Sequence, residues 1–435
     1  SLLTLNTLGN VTLNASNAHT GGVSLTQGNV VVNAKNPFGA ATGTFTFGGG
    51  TLSAGSLALT GANAILNPVS VTTSATVLSG SNSIEFAGVL GLGASRLMTN
   101  NIASGSSLIF SGGITNTVAS TLTLAGSGNA LISGAYNAGT GANALAYSGT
   151  GTLTLTANNL YTGATTLNGD TTVISGAAGA LTGTTAITVN PSATLTLDNS
   201  GSALANRLAN RALTLAGGTL NFIGNNAGSI EGTAGATAGT LIMGASGQSS
   251  INITSNGGTT KLNFSALTVN AGSTLNVTSN VDLGTSTNQV NFGSLLNTSA
   301  AAVTGTTLTF ASTTGLATGQ AVTGVGILNG TTITATTATT VTLSQAVAAS
   351  GVASGSAITF GVPSYGAITT SANSLLPRIT IGGTSWAAMG ANGLTTFTNY
   401  NTSTDVTLAS LIATPTITLQ VTGSTTNALY SAGVA

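Results

Sequence analysis

Short apolar triplets spaced by a single hydroxyl residue recur along this chain: Leu153-Thr154-Leu155, Ile187-Thr188-Val189, Leu213-Thr214-Leu215 and Leu267-Thr268-Val269. A period of two marks a strand with one buried face, because successive side chains point to opposite sides of a sheet. Thr suits the outward positions, being β-branched for strand propensity and hydroxylated for water. Clusters of Gly, Asn and Ser separate the bursts, as at 48–50, 111–113, 216–218 and 256–258, and helix signals are nearly absent. Many short strands punctuated in this way restrict the fold to a sandwich, barrel, propeller or solenoid.

Internal echoes separate these options. The run Gly9-Asn10-Val11-Thr12-Leu13, followed by Asn17-Ala18-His19-Thr20-Gly21-Gly22-Val23-Ser24-Leu25 and Val30-Val31-Val32, returns at the same internal spacing. It reappears as Gly151-Thr152-Leu153-Thr154-Leu155, then Asn159-Leu160-Tyr161-Thr162-Gly163-Ala164-Thr165-Thr166-Leu167 and Thr172-Val173-Ile174. A second echo pairs Ile187–Leu195 with Leu267–Leu275. Both offsets lie close to multiples of about twenty, a common length for one coil of a solenoid. The expectation is a stack of parallel coils at about 4.8 Å per step, with inward apolar residues forming one continuous core. Over the first three hundred residues or so this gives roughly fifteen coils and a rod of about 70 Å.

The run Gly149-Thr150-Gly151-Thr152-Leu153-Thr154-Leu155-Thr156-Ala157-Asn158-Asn159-Leu160-Tyr161-Thr162-Gly163-Ala164-Thr165-Thr166-Leu167 resembles the autotransporter-associated β-strand repeat of bacterial surface proteins. The likeness is good over 149–174, fair over 9–33 and compositional elsewhere in 1–300. It implies export, a right-handed parallel β-helix and a surface or fibre role. The repeat carries no catalytic residues to transfer.

Charge is almost missing: six Lys plus Arg, six Asp plus Glu, one His and no Cys in 435 residues, against 61 Gly. A soluble domain usually devotes about a quarter of its residues to charge. In a coil stack, like charges about 4.8 Å apart would repel, so neutral hydrogen-bonding residues suit the outer faces better. Six isolated cations (Lys35, Arg96, Arg207, Arg211, Lys261, Arg378) make no phosphate-tracking stripe, so no nucleic-acid partner is expected. No stretch approaches the ~20 apolar residues of a membrane-spanning helix. No signal sequence is recognisable at the start of this chain.

The chemistry-bearing residues are sparse. His19 stands where the other repeat copy has Tyr161 and reads as a structural corner. Glu85, Asp170, Asp198, Glu231, Asp282 and Asp405 are widely spaced and read as solvated turn residues; Arg207 and Arg211, within Ala203–Ala212, could share one helical turn and contact a neighbour, but read as a solvated face. A glycosidase needs two carboxyls about 5–10 Å apart. An enzyme of the pectate-lyase kind would share the β-helix but needs clustered acids and bases. Neither pattern stands out, so catalytic, metal and cofactor residues are expected to be none.

Three regions are expected: solenoid repeats over 1–302, a small all-β barrel or sandwich inserted over 303–360, and an aromatic-containing segment over 361–435 that returns to the solenoid. The inserted region is marked by Thr307-Leu308-Thr309-Phe310 and Ala357-Ile358-Thr359-Phe360, two strands that look able to pair and close it. Neither end reads as capped, which suggests a fragment or a subunit whose ends meet neighbours. The functional expectation is a non-enzymatic structural protein of an extracellular or bacterial cell-surface fibre, self-associating into filaments. The alternative is an adhesin or glycan-binding passenger. There Trp386, Tyr400 and Tyr365 would stack on sugar rings of surface glycans.

Overall fold

The computed structural model describes residues 1–398 apart from 233–238, 245–246, 302–304, 315, 317, 329–330, 362–363, 366–367, 370–374 and 391. The described chain is all-β, its one helical element being a single turn at Gly61–Asn63. Parallel strands stack into a β-solenoid of about 12 turns, fewer than the fifteen expected. The reason is coil length. An inward column on the first face runs Met98, Leu124, Tyr147, Leu167, Val189, Leu215, Met243 and Val269. Its steps vary from 20 residues, Tyr147 to Leu167, to 28, Leu215 to Met243.

The coils lay their strands on three faces. The first face begins with Leu3–Leu13 and Val23–Val32 and continues to Ala266–Val269. The second begins at Ile84–Phe86 and runs through Thr152–Leu155 and Thr194–Asp198 to Ser273–Ser279. The third is discontinuous, with single bridges at Ile114 and Tyr136 and, later, the three strands Ser229–Glu231, Thr260–Phe264 and Asn288–Phe292. The first echo is real structure. Val11 opposes Val30, and the equivalent Leu153 opposes Thr172. In the second echo Ile187 and Leu267 share a column, but Leu195 stacks in line with Val277, two residues beyond Leu275.

One apolar cluster runs from Val23 to Leu394 through the stack. Burying alternate side chains along every strand is its main driving force, at about 25 cal/mol per Å² of apolar surface. A polar thread crosses this core near one corner. Asn116 donates to Tyr136 Oη at 2.9 Å and to Ser120 Oγ at 2.8 Å, and Ser120 Oγ donates to Asn143 Oδ1 at 3.2 Å. The Tyr136 and Tyr161 rings meet at a 41° tilt with centroids 4.8 Å apart, and Tyr161 Oη shares a 2.6 Å hydrogen bond with Thr165 Oγ1. These buried groups are tolerable because they are hydrogen-bonded from coil to coil. Close stacking also fixes glycine at corners. At Gly126, φ is +99°, and a Cβ would sit 2.2 Å from Asn100 O of the coil below.

The inserted module has strands Ser294–Ala300, Thr307–Phe310, Val322–Gly324, Ile333–Thr336, Thr340–Leu343 and Ala357–Phe360, all paired antiparallel. The Ala321–Thr332 bridge joins its two edge strands and closes it into a small barrel. Its core, including Leu308, Val341, Ile358 and Phe360, is separate from that of the solenoid. The antiparallel pairing starts at Ser294 rather than 303, because an alternating strand reads the same in a solenoid and in a barrel. The two Thr-x-Phe strands do not pair with each other, since Ser294–Ala300 lies between them.

After the module, Ser364–Tyr365 rejoins the first face beside Thr268, and Leu375–Ile381 rejoins the second face with Leu275 opposite Ile379. Leu375–Ile381, Ser385–Gly390 and Gly393–Thr396 then form an antiparallel meander. It packs over the last coil, so this end of the stack is covered although the sequence reads as uncapped.

Candidate functional site

A depression lies on the third face, where Ser229–Glu231, Thr260–Phe264 and Asn288–Phe292 run side by side. Alternation sends Ser229, Glu231, Leu262, Phe264, Val290 and Phe292 inward, leaving two outward columns. One column is Ile230, Lys261 and Gln289; the other contains Asn263 and Asn291. The 205–206 turn of the preceding coil bounds one end, and Asn392, in the turn of the meander, bounds the other. The trough holds about 600 Å³, within the size range of small-ligand sites.

Its floor is tied together by amides. Asn291 Nδ2 donates to Asn263 Oδ1 at 2.8 Å and to Gln289 Oε1 at 3.2 Å. Asn263 Nδ2 donates to Gly232 O at 3.0 Å, and Gln289 Nε2 to Thr285 O at 2.9 Å. Ile230 is 44% exposed on this floor.

Beneath and beside the floor lie two charges the sequence analysis placed in solvent. Arg207 and Glu231 are both buried. The guanidinium donates to Asn199 Oδ1 at 2.6 Å, Gly179 O at 2.7 Å and Ser202 O at 2.9 Å. The Glu231 carboxylate accepts the backbone N–H of Arg207 at 2.7 Å and of Leu208 at 2.8 Å. It thereby ties the 206–211 turn, which contains left-handed Asn206, Ala209 and Asn210, to the next coil. Burial pushes the Glu231 carboxyl up to about 7, against the pull of the backbone N–H groups of Leu208, Arg207 and Gly232 and of the Arg207 charge. Burial also lowers Arg207 from its ordinary value, opposed by Glu231 and Asp198.

Glu85 is likewise no solvated turn residue: it accepts Gly61 N at 2.8 Å and Ser111 Oγ at 2.5 Å. His19 is half-buried, and its Nε2 has no partner among the described residues. The equivalent Tyr161 is fully buried. Among the described residues, no three His, Asp or Glu gather into a metal-binding group.

Of the aromatic residues expected to form a binding face, Trp386 and Tyr365 lie on described strands. Trp386 is 40% exposed on the meander that extends the second face. Tyr365 lies on a strand added to the first face, and Tyr400 lies outside the described residues. The trough residues Asn206, Ile230, Lys261, Gln289, Asn291 and Asn392 were not singled out as a site from sequence. Their convergence depends on coil register and on the meander turn. Arg207 and Glu231 did leave a trace: opposite charges 24 residues apart, a coil's length, in a chain with very few charges.

Compared with protein-family models, curated proteins and solved structures, the chain gives no significant match in any of the three.

Proposed function

We propose that this chain is a non-enzymatic structural protein, a subunit or segment of an extracellular or bacterial cell-surface fibre, self-associating end to end or laterally. The observation that carries this reading is a continuous core wrapped in nearly uncharged columns. On the second face one outward column runs Thr152, Thr171, Thr194, Thr219, Ser250, Asn276 and Thr380, one residue per coil. Elsewhere amides bond from coil to coil, Asn33 to Asn14 at 2.8 Å and Asn252 to Asn221 at 2.9 Å. Such a stack resists bending because each coil is hydrogen-bonded to the next, and neutral faces offer little repulsion to a second copy. Sedimentation and negative-stain microscopy across a concentration series test this. Rods or filaments that lengthen or bundle with concentration are expected; a monomer at every concentration contradicts it.

A second reading, an adhesin or glycan-binding passenger, is favoured by the exposed Trp386. It requires glycan-array binding that Trp386→Ala abolishes.

A further inference from the structure

The third face carries a feature that a purely mechanical rod does not need. Most of the outer surface is neutral, yet the trough places an ammonium among converging amides. Lys261 is half-buried on the floor and has no hydrogen-bond or ion-pair partner among the described residues. The acid nearest in the strand register, Glu231, points inward, while its neighbour Ile230 lies opposite Lys261 on the outer side.

We propose that this trough binds a short acidic saccharide, a uronate-bearing oligosaccharide whose carboxylate meets Lys261 and whose hydroxyls meet Asn206 and Asn392. Asn206 has its Oδ1 engaged by the N–H of Asn210, and its Nδ2 makes no bond among the described residues. The Asn392 side chain makes none there either. The trough therefore offers unspent donors at each end and a cation between them. An amide matches a sugar hydroxyl because it both donates and accepts, and an ammonium matches a carboxylate. Exposed Ile230 supplies an apolar patch for the C–H face of a sugar ring.

The site is held in shape before any ligand arrives. Gln289, Asn263 and Asn291 bond to one another along the floor. The meander turn closes one end through Gly393, where a Cβ would lie 2.1 Å from Asn291 Oδ1. Charge selects the ligand class. A single cation suits one carboxylate, whereas a polyphosphate or nucleic-acid chain would need several. The proposal is independent of polymerisation, because every group involved belongs to one chain.

Titration calorimetry on the full chain with tetragalacturonate, and with its methyl ester as the neutral control, tests it. Saturable binding of the acid is expected, with the ester and Lys261→Gln each weaker by about tenfold, the scale of one charge-assisted hydrogen bond. Ile230→Glu, an exposed position, would place a like charge beside the carboxylate and abolish binding while circular dichroism stays unchanged. Absence of saturable binding to the wild-type chain overturns the proposal. So does equal affinity for acid and ester, or undiminished binding by Lys261→Gln. A failure here with filaments still forming leaves the fibre reading standing, and the converse holds equally.

Discussion

Replacing Glu231 with Gln should remove a pH dependence of stability that runs opposite to ordinary acid denaturation. Burial pushes the folded carboxyl up from its ordinary 4.5 to about 7. Between those values the folded protein holds a proton that the unfolded chain has released. Stability from this group is therefore fully present below about 4.5 and is lost as pH rises through about 7. The gap of roughly 2.5, at about 1.36 kcal/mol per pKa unit, corresponds to about 3 kcal/mol. The substitution itself turns one of the two carboxylate acceptors into a donor facing the N–H of Arg207 or Leu208, at a cost of about 1–3 kcal/mol. That cost offsets the curve without tilting it. Urea denaturation followed by far-ultraviolet circular dichroism from pH 4 to 8 reads the slope in both proteins, and their difference isolates Glu231. A wild-type chain whose stability climbs with pH across this window, or a variant with an unchanged slope, would refute the reasoning.

Other consequences follow from packing. Phe222→Ala removes a fully buried ring from the second face and should cost about 3–5 kcal/mol in denaturant titrations. Gly126→Ala should destabilise by more than about 1 kcal/mol, since the new Cβ meets Asn100 O and φ is left-handed. Excising 294–360 and joining Gly293 to Gly361 should leave the solenoid folded with near-native circular dichroism. The two glycines already meet, a Cβ on Gly293 lying 2.5 Å from Gly361 O, and the module has its own core. Thr171→Lys with Thr194→Lys places adjacent like charges in the second-face column. It should suppress lateral bundling in micrographs while leaving monomers folded.

The strands and their inward faces were legible because a half-buried strand alternates visibly, as Leu153-Thr154-Leu155 does. The stacking was legible where two coils share a length, as in the Val11 and Leu153 copies. It blurred where turns lengthen: the Asn270–Ser273 corner leads into a strand whose register is two residues longer than the Asn190–Ala193 corner predicts. The sequence reading of Glu231 as a solvated turn residue failed for a different reason. The structure buries Glu231 and exposes Ile230, because the 206–211 turn of the neighbouring coil supplies two inward-facing N–H donors. Such a partner is one coil away and invisible to a local pattern. The trough was hidden for the same reason, its residues coming from five separated stretches of chain.

Diffraction from aligned, concentrated protein tests the central claim most directly. Coils stacked along the long axis of an assembled rod predict a strong reflection near 4.8 Å along that axis. Filaments lacking that axial repeat, or concentrated protein that never assembles into rods, would contradict the account.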